Sequence, residues 1–213
     1  MKRISFKDNV FRCVEGAKEI ARTENKSQQW VIIGCSSVYR SFYGDQNNII
    51  CWSSDSRIPD ADVDTPVSKS CMHCENDVKG SGQGNSRACR FHRRLAVVMA
   101  NHMSGQIYQV ILSAISVFGK GQSGRWPLDS YAEFLKGNNV ALSHVVSEAQ
   151  FDLDSKFPKL IFTPVRSLTE EEYTIIENQM LKKETKGVLK LSVPNKISNG
   201  FTPVNPELSN INH

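Results

Sequence analysis

Leu95-Ala-Val-Val-Met-Ala-Asn-His-Met-Ser-Gly-Gln-Ile-Tyr-Gln-Val-Ile-Leu-Ser-Ala114 decides how this chain folds. Leu95–Ala100 is an uninterrupted apolar run of strand length. Asn101-His-Met-Ser-Gly105 is a turn. From there Ile107, Gln109, Ile111 and Ser113 alternate against Tyr108, Val110, Leu112 and Ala114, which suits a strand with both faces partly covered. The pair predicts a hairpin. Residues 119–126 are a Gly/Ser/Lys/Arg loop, and Pro127 opens a helix, where its missing N–H costs nothing. Leu128, Tyr131, Phe134 and Leu135 line one face of that helix, and Gly137 ends it. Val140–Phe151 and Leu160–Val165 read as two further strands with Asp152-Leu-Asp-Ser155 between them. Thr169-Glu-Glu-Glu172 fits a capping box at the start of a last helix running to about Lys183.

The order strand, strand, helix, strand, strand over residues 95–165 suits a small Greek-key barrel of the oligonucleotide-binding (OB) type, in which a helix plugs one end. Upstream, Phe11, Val14, Ala17, Ile20 and Ala21 recur at helical spacing and predict a helix over Asn9–Arg22. Trp30–Cys35 and Ile49–Trp52 read as strands. Trp30, Phe134, Phe151 and Phe162 are expected in the core. Prolines and short polar residues make 53–70 irregular. The fold class is therefore α+β and mostly β: an OB-like barrel with flanking helices and an inserted zinc knuckle at about 71–92. The domain is expected to span 1–183, with a flexible tail at 184–213.

The 213 residues are 39% apolar and 23% charged, which excludes a collagenous, fully disordered or coiled-coil chain. No apolar run approaches the ~20 residues of a membrane-spanning helix. Met1-Lys-Arg-Ile-Ser-Phe-Lys-Asp8 lacks the apolar core of a secretory signal. A soluble, intracellular protein with reduced cysteines is expected.

Cys71-x2-Cys74-x14-Cys89-x2-His92 is the sharpest local signal. Two closely spaced ligand pairs match the tetrahedral demand of zinc, and thiolate with imidazole suits that ion. His73 and Cys51 compete with His92 for the fourth place. Four protein ligands close the coordination shell, and no Glu-x-x-His pattern is present to activate water, so no enzyme is expected. Gly80-Ser-Gly-Gln-Gly84 lacks the Gly-Lys-Ser/Thr of a phosphate loop.

The net charge is +4, and Lys79, Arg87, Arg90, Arg93 and Arg94 lie in a stretch without acids. Such a concentration attracts polyanions. Single-strand binding needs cations along the backbone path and rings for the bases. Tyr43, Trp52 and Trp126 are candidate base-stacking rings, of which Tyr43 and Trp126 are expected to be the more exposed.

Cys71-Met-His-Cys-Glu-Asn-Asp-Val-Lys-Gly-Ser-Gly-Gln-Gly-Asn-Ser-Arg-Ala-Cys-Arg-Phe91, with Arg94-Leu-Ala-Val-Val98, Ser116-Val-Phe-Gly119, Tyr131-Ala-Glu-Phe-Leu135 and Pro164-Val-Arg-Ser-Leu-Thr-Glu-Glu-Glu172, resembles a family of small proteins of tailed bacteriophages. The resemblance covers residues 50–175. Some broadly similar phage proteins are single-stranded-DNA-binding proteins with an OB barrel. It implies a non-enzymatic, zinc-stiffened binder of single-stranded DNA in replication or recombination, in the cytoplasm of an infected bacterium. The alternative is a zinc-containing phage protein that docks on a host or phage polymerase and regulates transcription or replication.

Overall fold

A computed structural model describes residues 1–44 and 48–191. Its strands are β1 (Lys2–Ser5), β2 (Phe11–Glu15), β3 (Lys18–Thr23), β4 (Ser27–Cys35), β5 (Tyr39–Tyr43), β6 (Ile49–Ser53), β7 (Arg90–Met99), β8 (Tyr108–Ser113), β9 (Val145–Phe151) and β10 (Leu160–Ser167). Its α-helices are α1 (Ala114–Val117), α2 (Leu128–Gly137), α3 (Glu170–Leu181) and α4 (Lys183–Leu189). The strands join in one curled sheet, ordered β10-β9-β4-β7-β8-β1-β2-β3. Neighbours are antiparallel except β1 and β8. Among the described residues, β10, β3 and β6 each pair on one side only, so the sheet stays open.

The long strand β7 organises this arrangement. One edge pairs with β8 along most of its length. The other edge is shared, β4 pairing with Leu95–Met99 and β5 with Arg90–His92. Ser36 bridges the gap between them: its N–H donates to the Arg94 carbonyl at 2.9 Å, and its hydroxyl accepts from the Arg94 N–H at 3.0 Å. β6 then adds to β5 and extends the sheet beyond β4.

Alternation sends apolar side chains to both faces of the sheet. On one face Trp30, Ile32, Leu95, Val97, Val110 and Leu112 pack with Phe11, Phe151 and Phe162 under Leu128, Tyr131 and Leu135 of α2. Full burial of such a side chain stabilises the fold by about 1.5–3 kcal/mol. On the other face Val31, Ile33, Ala96 and Val98 meet Ile176 of α3 and Val188 of α4. Gly34 permits that second contact, because a Cβ there would come within 2.8 Å of Leu189 Cδ1.

Helix α2, β10 and the capped α3 fall where the sequence predicts them, as does the central hairpin, except that β7 begins at Arg90, inside the knuckle expected at 71–92, and not at Leu95. Thr169 Oγ1 accepts from the Glu172 N–H while the Glu172 carboxylate accepts from the Thr169 N–H. Four further expectations are corrected. In place of the helix expected over Asn9–Arg22, β2 and β3 form a hairpin turned at Gly16 with φ +60°. Only Phe11 of the five helically spaced residues is buried in the core. The predicted strand Val140–Phe151 begins at Val145, after a 3-10 turn at Leu142–His144. The expected tail from 184 contains α4, with Thr185 and Val188 buried; its remainder from 192 lies outside the described residues. Of the four rings expected in the core, Phe134 is the exception and keeps 37% of its surface. No described helix is long and apolar enough to cross a membrane.

Candidate nucleic-acid interface and thiol cluster

Because β7 is a strand through Arg90–Arg94, the basic run divides between two faces. Arg90, His92 and Arg94 point one way, and Phe91 and Arg93 the other. Tyr39 stacks on His92 at 5.3 Å, and the Arg94 guanidinium lies 4.9 Å from the Tyr39 ring centroid, which fixes the first face. The Arg40 guanidinium lies 4.3 Å over Phe91, which fixes the second.

On the first face, Ser41 is the register partner of both Arg90 and Trp52. The three side chains therefore stand in a row across β7, β5 and β6. Tyr43 shares this face two residues on, with the exposed Arg90 guanidinium 5.4 Å over its ring. Toward the other end, Tyr39 opens into a cavity of about 440 Å³, lined also by Ser36, Ser54, Lys186, Leu189 and Lys190. Lys186 and Lys190 are exposed. Those two lysines were hidden in the sequence by the expectation of a tail, although their spacing of four is helical.

The remaining candidates do not join this exposed row. Arg94 is buried and donates to the Lys190 carbonyl, so it anchors the end of α4. Arg93 donates to the Ser36 carbonyl at 2.8 Å and pairs with Asp129 at the start of α2. Trp126 stacks on Phe134 at 4.2 Å and 17°, and its backbone pairs with Phe162. A Cβ on Gly121 would strike the indole, so that glycine lies directly against the half-buried ring. Lys79 is exposed on the thiol-bearing loop. Arg87 pairs with Asp77 at 3.0 Å.

Arg40, which nothing in the local sequence marks, is the hub of the second face. It is buried, pairs with Asp77 at 2.7 Å and donates to the Cys71 carbonyl at 3.1 Å. Register puts Ser53 opposite Arg40 and Cys51 opposite Phe42, so both project to this side. The loop returns here as well: the Cys71 N–H donates to the Arg57 carbonyl at 2.9 Å and the Cys89 N–H to the Asn76 carbonyl at 2.8 Å. Gly82 allows that return, because a Cβ would lie 2.9 Å from the Arg87 backbone. Burial pushes the Cys89 thiol up to about 12, opposed by Arg40 and reinforced by Cys71 and Cys74. Burial likewise raises Cys71, opposed by Ser53 and Arg40, with Cys51 and Cys74 as neighbours.

His92 is thereby corrected as a partner of these thiols, since strand alternation aims its ring at Tyr39 through the opposite face. Burial, reinforced by Arg90 and Arg94, lowers it to about 4. His73 is exposed beside the Ser70 hydroxyl at 3.3 Å. As the side chains stand, no three His, Cys, Asp or Glu groups among the described residues converge closely enough to hold a metal ion. No family model, curated protein or solved structure matches this chain.

Proposed function

We propose that this protein binds single-stranded DNA, without catalysing a reaction, along the β7–β5–β6 face. One observation carries the reading: Arg90, Tyr43 and Trp52 share that face, with Lys186 and Lys190 flanking its other end. Cations that follow a phosphate backbone and rings that stack on bases are what sequence-tolerant single-strand binding requires. Each stacked base contributes about 1–3 kcal/mol. In this reading the curled sheet and its α2 plug serve as an OB-like frame, and the protein acts in phage replication or recombination within the infected bacterial cytoplasm.

The test is titration with oligo-dT and with duplex of the same length, following tryptophan fluorescence. Trp30 is buried and the half-buried Trp126 stacks on Phe134 away from this face, whereas the half-buried Trp52 lies on it, so Trp52 is the reporter. Single strands quench the wild type, and Trp52→Phe loses most of the quenching. Affinity falls with salt through counterion release, and Arg90→Ala lowers the slope of log K against log salt by about 0.7. Folded protein that fails to bind oligo-dT at low salt overturns the reading.

A further inference from the structure

The loop at 71–89 and strand β6 gather four thiols on the Arg40 side of the sheet. Cys51 reaches this side through its register with Phe42. Cys71 is held there by Arg57 and Arg40, and Cys89 by Asn76. Cys74 follows Cys71 within one tight turn, its N–H donating to the Cys71 carbonyl at 3.4 Å. All four are free thiols. Cys71 has Cys51 and Cys74 as electrostatic neighbours, and Cys89 has Cys71 and Cys74.

We propose that Cys51, Cys71, Cys74 and Cys89 form a structural zinc site of four sulfurs, with Cys51 in the place that spacing alone assigns to His92. A set of four soft donors matches zinc in number and chemistry. The thiols are neighbours that do not yet meet at a point. Seating all four sulfurs on one ion requires side-chain rotation between staggered χ1 wells, each of which moves a sulfur by about 3 Å. Four S–H protons leave to solvent as four Zn–S bonds form, and no electrons move. The resulting centre carries two negative charges. Arg40 lies against it, and Arg87 joins Arg40 on Asp77. The ion ties β6 to the distant loop, so binding energy becomes folding energy for this end of the sheet. The site stands independently of the DNA reading, because its test contains no DNA.

The full-length protein is purified without chelator, and its zinc is measured by elemental analysis. The expected result is one zinc per chain, retained in His92→Ala and reduced at least tenfold in Cys51→Ser. A second measurement, on the wild type, covers the case in which Cys51→Ser fails to fold. Alkylation followed by peptide mapping should find Cys51, Cys71, Cys74 and Cys89 protected until a chelator is added, while Cys13 and Cys35 react equally with and without it. Metal-free protein with a cooperative unfolding transition overturns the proposal. So does Cys51 alkylation that ignores chelator, or zinc lost from His92→Ala and kept by Cys51→Ser.

Discussion

Arg40 shows how much one residue can organise. Its guanidinium touches Phe91, Asp77 and the Cys71 carbonyl, and it is almost wholly withdrawn from water. Removing one partner of a buried ion pair strands the other, which costs about 3–5 kcal/mol. Arg40→Ala should therefore lower the urea midpoint strongly. Arg87→Ala, which removes the more exposed partner of the same carboxylate, should cost less than about 1 kcal/mol. Equal losses would show that Asp77 does not depend on Arg40. His92 supplies a second test. Its folded pKa of about 4 lies below the ~6.5 of an unfolded chain. Between those values the unfolded chain takes up a proton that the fold refuses, so stability falls as pH drops from about 6.5 toward 4 and levels off below. Tyr39, Arg90 and Arg94 are the charged or titratable groups facing the ring. The loss is on the order of 3 kcal/mol, and His92→Phe, which preserves stacking on Tyr39, should flatten this part of the pH–stability curve. An unchanged slope in that variant would place the proton elsewhere. The basic run was legible as a composition but not as a surface. Period-two alternation separates Arg90 from Arg93, and a contiguous patch on paper becomes one exposed cation, two structural ones and a loop.

The elements differ in how plainly the sequence announces them. α2 and α3 carry their own punctuation, Pro127 and the Thr169–Glu172 box, and both appear where that punctuation places them. The hairpin β2–β3 is disguised. A bulge between Cys13 and Val14 and the turn at Gly16 leave apolar residues at intervals of three, as a helix would. Arg12 instead meets Glu19 across the hairpin at 3.3 Å, and Arg22 meets the same carboxylate along β3 at 2.5 Å. α4 was illegible because its surroundings are polar and its value comes from distant partners. The Val188 carbonyl accepts from Gln109, that of Lys190 accepts from Arg94, and Leu189 fills the space left by Gly34. A chain ended at Leu181 should accordingly unfold at lower urea than one ended at Leu191, by roughly the 2–5 kcal/mol of losing a core side chain. Matching midpoints for the two chains would show α4 to be a passenger.

At the scale of the molecule, two cores share one sheet, and their closure is distributed unevenly along the chain. α2 covers one face from the middle of the sequence, whereas the opposite face waits for α3 and α4. The open edges at β3, β6 and β10 belong to strands that each have a single neighbour. Alternating polarity told the fold class, mostly β with a few helices, because hydrophobic period is a local property. Strand neighbours are not local, and nothing in the composition of β4 says that it will lie between β7 and β9.

That placement of β4 has a bearing on synthesis. Ser27–Val31 must pair with Val146–Gln150, and β7 comes between them in the sequence. A nascent chain emerging from the ribosome carries β4 for most of its translation with that edge bare. Pairings so remote along the chain are slow to form, and exposed strand edges invite the wrong partner. The vectorial order of synthesis thus makes the interval before β9 emerges the period of greatest exposure to aggregation.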